Sequence, residues 1–251
     1  MLKISPIPAF EDNYIWLLQN GAHAVVIDPG DAAPVIAALE QQSLKLDAII
    51  ITHHHSDHIG GVHDLLAHDA STIVYAPAKE RFDFQHYTVQ ESDKVLLPTI
   101  NLKLKVMEVP GHTLGHVAYY DKHSLFCGDT LFGAGCGRLF EGTPAQMYQS
   151  LQKLAALEPD INVYCTHEYT AHNIRFALTV DPDNQALIER QQHTILRRKS
   201  GLPTLPSKLT LELATNPFLR CGDMPLKNTI NMPSASEIEV FTKLREMRNH
   251  F

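Results

Sequence analysis

Ile49-Ile50-Ile51-Thr52-His53-His54-His55-Ser56-Asp57-His58 is the stretch on which the reading of this chain turns. The apolar run leading into it, Leu46–Ile51, has no polar alternation, as expected of a strand buried on both faces. In the extended segment that follows, side chains alternate with period two, so His53 and His55 point the same way. Asp57 and His58 then fall in the first turn of a helix expected over 57–68. Four ligand-type groups converge at one strand end. Imidazoles with a carboxylate suit zinc, iron or manganese, and nothing here is a soft thiolate site. A run of solvated surface histidines would not follow a β-strand and precede Gly60-Gly61 and an apolar helix.

Working outward, the same design recurs. Val109-Pro110-Gly111-His112-Thr113 follows the alternating run LKLKVMEV, Phe126-Cys127-Gly128-Asp129-Thr130 follows a short strand, and Tyr164-Cys165-Thr166-His167-Glu168 follows another. Each places a His or Asp just past a strand, where rigid elements carry functional loops. The candidate donors are then His53, His55, Asp57, His58, His112, Asp129 and His167. Seven exceed one catalytic zinc, which takes three protein ligands and a water; they suit two metals sharing a carboxylate and a water. A carboxylate can bridge and an imidazole cannot, so the bridge is Asp57 or Asp129, with Asp129 the better candidate because Asp57 is tied to the short motif.

Further strands are expected at 14–18, 24–27, 73–75, 102–109, 116–120, 124–127 and 162–165. Asn20-Gly21 reads as a hairpin turn. Helices are expected at 34–42 and at 144–157, the latter opened by Thr143 as N-cap and Pro144 at its first position. Beyond residue 171 helices dominate, at 171–179, 184–199 and 234–248, with Gly201–Pro217 as a connector. This gives a mixed α/β domain over 1–165 and a smaller helical domain over 166–251.

The 251 residues carry 44% hydrophobic and 20% charged side chains, which is ordinary for a globular chain. Net charge is −7, unevenly spread: residues 1–165 carry −9 and residues 166–251 carry +2. That balance argues against a nucleic-acid partner. No apolar run approaches the ~18 residues of a membrane span, and the N-terminus has no signal-peptide pattern. Cys127, Cys136, Cys165 and Cys221 form no C-x-x-C pair, so neither a disulfide framework nor a zinc knuckle is expected. Cys136, between two glycines, has no matched base nearby in sequence and reads as structural. A cytoplasmic monomer is the expectation.

The pattern T-H-x-H-x-D-H, then P-G-H-T, G-D-T and a late His, resembles the metallo-β-lactamase superfamily over the first two thirds of the chain. That resemblance implies an αββα sandwich, with one metal on His53, His55 and His112, a second on Asp57, His58 and His167, and Asp129 bridging. A closer likeness spans nearly the whole chain. Phe10–Tyr14 (FEDNY), Gly135–Thr143 (GCGRLFEGT), Thr166–Thr170 (THEYT) and the C-terminal LREMRNHF resemble the hydroxyacylglutathione hydrolases (glyoxalase II). It implies a binuclear thioester hydrolase acting on S-(2-hydroxyacyl)glutathione, typically S-D-lactoylglutathione, in the second step of methylglyoxal detoxification. The implied cofactors are two divalent ions, zinc first, with iron or manganese as alternatives. Asp57 and Asp129 would serve the chemistry, and Arg138, Tyr169, Arg245 and Arg248 would contact glutathione. Many members of that family carry Lys and Tyr where this chain has Arg138 and Phe140, so the charge is kept and a hydroxyl is lost.

The residues support this independently. Arg245 and Arg248 share a helix face, and Arg is suited to bidentate carboxylate binding. A thiolate leaves without a general acid, whereas an amide nitrogen needs one. Fold alone does not choose among chemistries, so a lactonase or a persulfide dioxygenase is the alternative. A closed, non-enzymatic metal module is opposed by donors enough for two sites with room for water. The role of His116 stays open.

Overall fold

The structure, a computed structural model, describes residues 2–251. Its chain forms two compact units: one holds residues up to Glu108 with Leu114–Asp121 and Leu125–Gly128, and the other holds Val109–Thr113, Lys122–Ser124 and everything from Asp129 onward.

In the first unit the order is β1 (Lys3–Ala9), β2 (Asn13–Asn20), β3 (His23–Ile27), α1 (Ala32–Gln42), β4 (Lys45–Ile50), α2 (Ser56–Ile59), α3 (Val62–His68), β5 (Ile73–Pro77), β6 (Tyr87–Val89), β7 (Lys94–Leu97), β8 (Leu102–Glu108), β9 (Val117–Tyr120) and β10 (Ser124–Gly128). Strands β1 to β6 form one sheet in sequence order. Its first three strands pair antiparallel, and β3, β4, β5 and β6 run parallel. Parallel neighbours need crossovers, which α1 and α3 help to supply. Strands β7 to β10 pair antiparallel as consecutive neighbours in the second sheet.

Alternation explains the layering. Ile15, Leu17, Val26, Ile49 and Val74 pack with Val35 and Leu39 of α1 and with Val62 and Leu65 of α3. Trp16, Leu18, Val25, Ile27 and Ile50 point to the opposite face and are equally buried, each burial of a large apolar side chain contributing about 1.5–3 kcal/mol. The second sheet meets that side: Tyr119 Oη donates to Ile51 O at 2.8 Å, and Val117 N donates to Thr52 O at 3.0 Å. Burial on both sides is why β4 reads as an unbroken apolar run.

The helix expected over 57–68 is two helices. Gly60 and Gly61 break it because the chain closes on the loop after β3: Gly61 N donates to Pro29 O at 2.9 Å, and an added Cβ at Gly61 would lie 2.5 Å from Ala32 N. Helix α1 starts at Ala32, two residues before the expected position, since Asp31 caps it by accepting from Ala33 N. Strands β1, β6 and β7 are additions to the expected set.

In the second unit come β11 (Leu131–Phe132), β12 (Gly135–Cys136), α4 (Pro144–Ala155), β13 (Asn162–Cys165), α5 (Thr170–Val180), α6 (Gln185–Lys199), β14 (Ser207–Lys208), α7 (Leu209–Thr215), α8 (Met224–Thr229) and α9 (Glu237–Asn249). Capping boxes Thr143/Gln146 and Ser236/Glu239 set the starts of α4 and α9. The stretch 201–217, expected as a connector, contains β14 and α7. Strand β14 pairs antiparallel with β13, and α7 is held by Glu212, whose fully buried carboxylate takes the Arg190 guanidinium of α6. A polar residue in that position hid the helix from a pattern reading. Helix α8 was likewise unmarked, and so was the β11–β12 hairpin. No helix among the described residues is long and apolar enough to cross a membrane.

Candidate active site

The side chains with donor atoms placed for metal binding are His53, His55, Asp57 and His58 in the first unit, and His112, Asp129 and His167 in the second. All seven sequence candidates are among them.

In the first unit the donors lie just past β4 and in the first turn of α2. Asp28, at the end of β3, organises them. It is 2% exposed, and its φ of +53° is unusual for a residue other than glycine. It accepts from Thr52 N at 2.8 Å, from Thr52 Oγ1 at 2.7 Å and from His58 Nδ1 at 2.9 Å. A carboxylate only accepts, so His58 carries its proton on Nδ1 and offers the Nε2 lone pair, which lies 3.6 Å from Asp57 Oδ2. The Thr52 hydroxyl spends its proton on Asp28, so it accepts from His53 Nδ1 at 3.1 Å. That fixes the His53 tautomer too, with Nε2 facing His55 Nδ1 at 3.0 Å. Asn13 Nδ2 donates to Asp57 Oδ2 at 3.0 Å. Backbone approach is close here: a Cβ at Gly30 would lie 2.0 Å from Asp57 O. Asp28 was not singled out in the sequence, and Thr52 and Asn13 only as members of the T-H-x-H-x-D-H and FEDNY stretches, although an Asp ending a buried strand is the same signal that marked Asp129.

His54 lies 3.1 Å from Glu80 and is not among the donors. His116 is buried and stacks on His53, with ring centroids 4.6 Å apart and planes at 20°. It is a packing wall for a donor.

In the second unit His112 Nδ1 donates to Arg138 O at 2.7 Å, which again leaves the Nε2 lone pair outward. One oxygen, Asp129 Oδ2, lies 3.3 Å from both His112 Nε2 and His167 Nε2. His112, Asp129 and His167 are all buried. The donor set of both units is imidazole and carboxylate alone, with the His53, His58 and His112 tautomers fixed to present their Nε2 lone pairs, and it fits divalent metal ions. His167 stacks on Tyr169 at 4.7 Å with nearly parallel rings.

The four expected substrate contacts lie together in the second unit. A cavity of about 280 Å³ is lined by Phe132, Cys136, Arg138, Tyr169, Asn173, Arg245, Arg248 and Asn249. Three guanidiniums line it and no carboxylate does. Arg245, 6% exposed, donates to Cys136 O at 2.8 Å and sits over the Phe218 ring at 5.3 Å. Arg248 donates to Asn173 Oδ1 through Nη2 at 3.0 Å. Burial, and then the charge of Arg245, lower the Arg248 pKa from its ordinary value, a cost that a bound anion would relieve. Burial raises the Cys136 thiol above its usual range, so it is no ready nucleophile. Phe132 and Asn173 carried no sequence signal, and Asn249 only its place in the C-terminal LREMRNHF; the fold brings all three to the cavity.

Residues 9–167 match the metallo-beta-lactamase superfamily, and residues 168–251 match the family described as hydroxyacylglutathione hydrolase C-terminus. A hydroxyacylglutathione hydrolase of Methylobacillus flagellatus is 55% identical over 251 residues, covering all of both chains. One of Photobacterium profundum is 50% identical over 254 residues, again covering all of both. Among solved structures, ETHE1 from Myxococcus xanthus is similar with a TM-score of 0.67 at 22% identity, over 98% of this chain and 90% of that one. The B3 metallo-beta-lactamase BLEG-1 is similar with a TM-score of 0.64 at 24% identity, over 87% of this chain and 99% of that one. These structural likenesses establish the α/β metallo-β-lactamase fold, and a helical segment follows it. With both portions of the sequence matched and relatives aligned end to end, the chain belongs to the hydroxyacylglutathione hydrolases of the metallo-β-lactamase superfamily.

Proposed function

We propose that this chain hydrolyses the thioester of an S-(2-hydroxyacyl)glutathione, S-D-lactoylglutathione in the typical case, to glutathione and a 2-hydroxy acid. The observation that carries the reading is the cavity with three arginines and no carboxylate among its lining side chains. Glutathione presents carboxylates, and the planar guanidinium fork matches them bidentately.

His53, His55 and His112 would hold one metal ion, and Asp57, His58 and His167 the other, with the Asp129 carboxylate shared. Support for the sharing is that a single Asp129 oxygen lies 3.3 Å from an imidazole assigned to each ion. Zinc is the proposed occupant, with iron and manganese accepted by the same donors. When bound, such ions polarise a carbonyl and lower the pKa of a water toward about 7.

The chain's own residues do the remaining work. Asp28 and Thr52 hold the imidazole tautomers. Asn13, donating to Asp57 Oδ2, orients the Asp57 carboxylate. Arg138, Tyr169, Arg245 and Arg248 hold the glutathione moiety, which assigns the helical segment 166–251 to substrate binding. The leaving thiolate, with a thiol pKa of about 8.5, departs without a protein acid. On this reading the chain acts on a small molecule in the second step of methylglyoxal detoxification, and a cytoplasmic monomer is the form proposed for it.

The test is turnover of S-D-lactoylglutathione by the purified protein, with metal content measured on the same sample. Fast hydrolysis with close to two metals per chain is the expected result. Two metals without turnover would move the substrate elsewhere in the superfamily.

A further inference from the structure

The two cavity arginines of α9 rest on the β11–β12 hairpin. Arg245 donates to Cys136 O at 2.8 Å, and Arg248 donates to Asn173 Oδ1, while Asn173 Nδ2 donates to Gly133 O at 3.0 Å. Phe132 and Cys136 of the hairpin themselves line the cavity. Whatever fixes this turn therefore fixes the spacing of the guanidiniums.

The turn does not hold itself. Ala134, at its tip, has φ +54°, a left-handed conformation that an alanine adopts only where its surroundings impose it. What imposes it comes from α6 and α7. Glu212 Oε2 accepts from Ala134 N at 2.9 Å. Asn216, fully buried at the end of α7, donates Nδ2 to Phe132 O at 3.2 Å and to Gly135 O at 2.9 Å. Its Oδ1 accepts from Phe218 N at 3.1 Å, and the Phe218 ring lies beneath the Arg245 guanidinium. Arg190, 5% exposed, closes the set, pairing with both Glu212 oxygens and donating to Thr215 Oγ1 at 2.6 Å. A buried ion pair is not an economical source of stability, since apolar side chains of similar volume often do as well or better. Its directed hydrogen bonds onto a strained turn give it a different use.

We infer that Glu212, Arg190 and Asn216 are positioning residues for glutathione binding, acting through the β11–β12 turn on Phe132, Cys136, Arg245 and Arg248. The inference rests on the proposed glutathione thioesterase reading. None of the three lines the cavity. They set affinity by holding the hairpin that the arginines use as a template.

The experiment compares the metal-loaded wild-type protein with Glu212→Gln, Asn216→Ala and the double variant Arg190→Met, Glu212→Met. It reads KM and kcat for S-D-lactoylglutathione, the Kd of glutathione, metal content and Tm. The double variant leaves no unpaired buried charge and so keeps the question open to test if a single variant does not fold. KM and the glutathione Kd should rise about tenfold in every folded variant, with kcat and metal content within about twofold of wild type. A double variant with wild-type Tm and a raised KM would separate positioning from stability. Unchanged KM with a lowered Tm would reduce these residues to structural supports and overturn the inference. So would a loss of metal or of kcat at unchanged KM, which would direct their effect to Asp129 instead. A wild-type protein that neither binds glutathione nor turns over its thioester would remove the substrate reading itself, and this inference with it.

Discussion

The metal donors and the arginine cavity bind charge in opposite senses, and they are built in opposite ways. At Thr52–His58, buried carboxylate holds imidazole: Asp28 fixes His58 directly and His53 through Thr52, and lone pairs are left to face a cation. In the cavity, guanidiniums converge without a carboxylate, and burial together with mutual repulsion holds the Arg248 pKa down. The donors are ordered by the charge network of their own neighbourhood. The arginines are ordered by a hairpin, an asparagine and an aromatic ring drawn from distant sequence. The difference implies a division of labour: changes among the donors should alter metal content and kcat, and changes in the cavity should alter KM alone.

The strongest way to break that division is at Asp129. Replacing it by Ala removes the oxygen that both His112 and His167 face. Loss of charge stabilisation worth several kcal/mol should cut kcat/KM by about 10³-fold or more, and metal per chain should fall. Full activity with unchanged metal, measured by elemental analysis beside turnover, would end the shared-carboxylate assignment.

Asp28 offers a finer test, because it touches no substrate. In Asp28→Asn one oxygen still accepts, the other is replaced by an amide donor that cannot take its present partner, and the charge that faces His58 Nδ1 is gone. Loss of such an outer partner typically costs about 10–100-fold in metal affinity or activity. Metal titration of the variant should register that loss while KM holds. A shift in KM with metal affinity intact would blur the two regions into one.

Arg248→Met probes the other side. A hydrogen bond to a charged group contributes about 1.5–3 kcal/mol, so KM for the thioester should rise at least about tenfold. Metal content and kcat should stay near wild type. A fall in kcat with KM unchanged would mean that this arginine works on the transition state rather than on the bound substrate.

The same contrast governs what the sequence made legible. His53, His55, Asp57 and His58 lie within six residues of each other, so strand periodicity and one helical turn sufficed to bring them together. His112, Asp129 and His167 were legible because each follows an apolar strand. Asp28 shares that signature but ends in Asp-Pro-Gly, which reads as a turn, and its role depends on a Thr hydroxyl whose direction no pattern encodes. Arg245 and Arg248 could be read as one helix face, but not as a cavity wall. That needed Asn173 and Cys136, and a turn whose left-handed alanine is imposed by residues some eighty positions away. Helix α7 stayed hidden for a related reason: Glu212 occupies a core position because Arg190 answers it, and apolar periodicity does not register an answered charge. The break at Gly60-Gly61 was visible as two glycines, but the loop that needs them was not.

The smallest effect is expected at Phe140, where this chain departs from many members of its family. Its ring is 60% exposed and meets the His112 ring edge-on at 5.2 Å, and its amide donates to His112 O at 3.2 Å. The backbone contact and the ring packing belong to the donor region, and they survive in Phe140→Tyr because the two side chains differ only at the ring tip. The added hydroxyl supplies one donor at an exposed position outside the cavity lining, and only the family resemblance assigns it to substrate binding. A net hydrogen bond there contributes about 0.5–1.5 kcal/mol, so KM should fall roughly threefold while kcat and metal content hold. A change in metal content would show that the ring tip communicates with His112, and the separation of donors from cavity would then fail at the residue where it is most easily crossed. Unchanged KM would leave Phe140 as a shield for His112, with substrate affinity resting on the arginines alone.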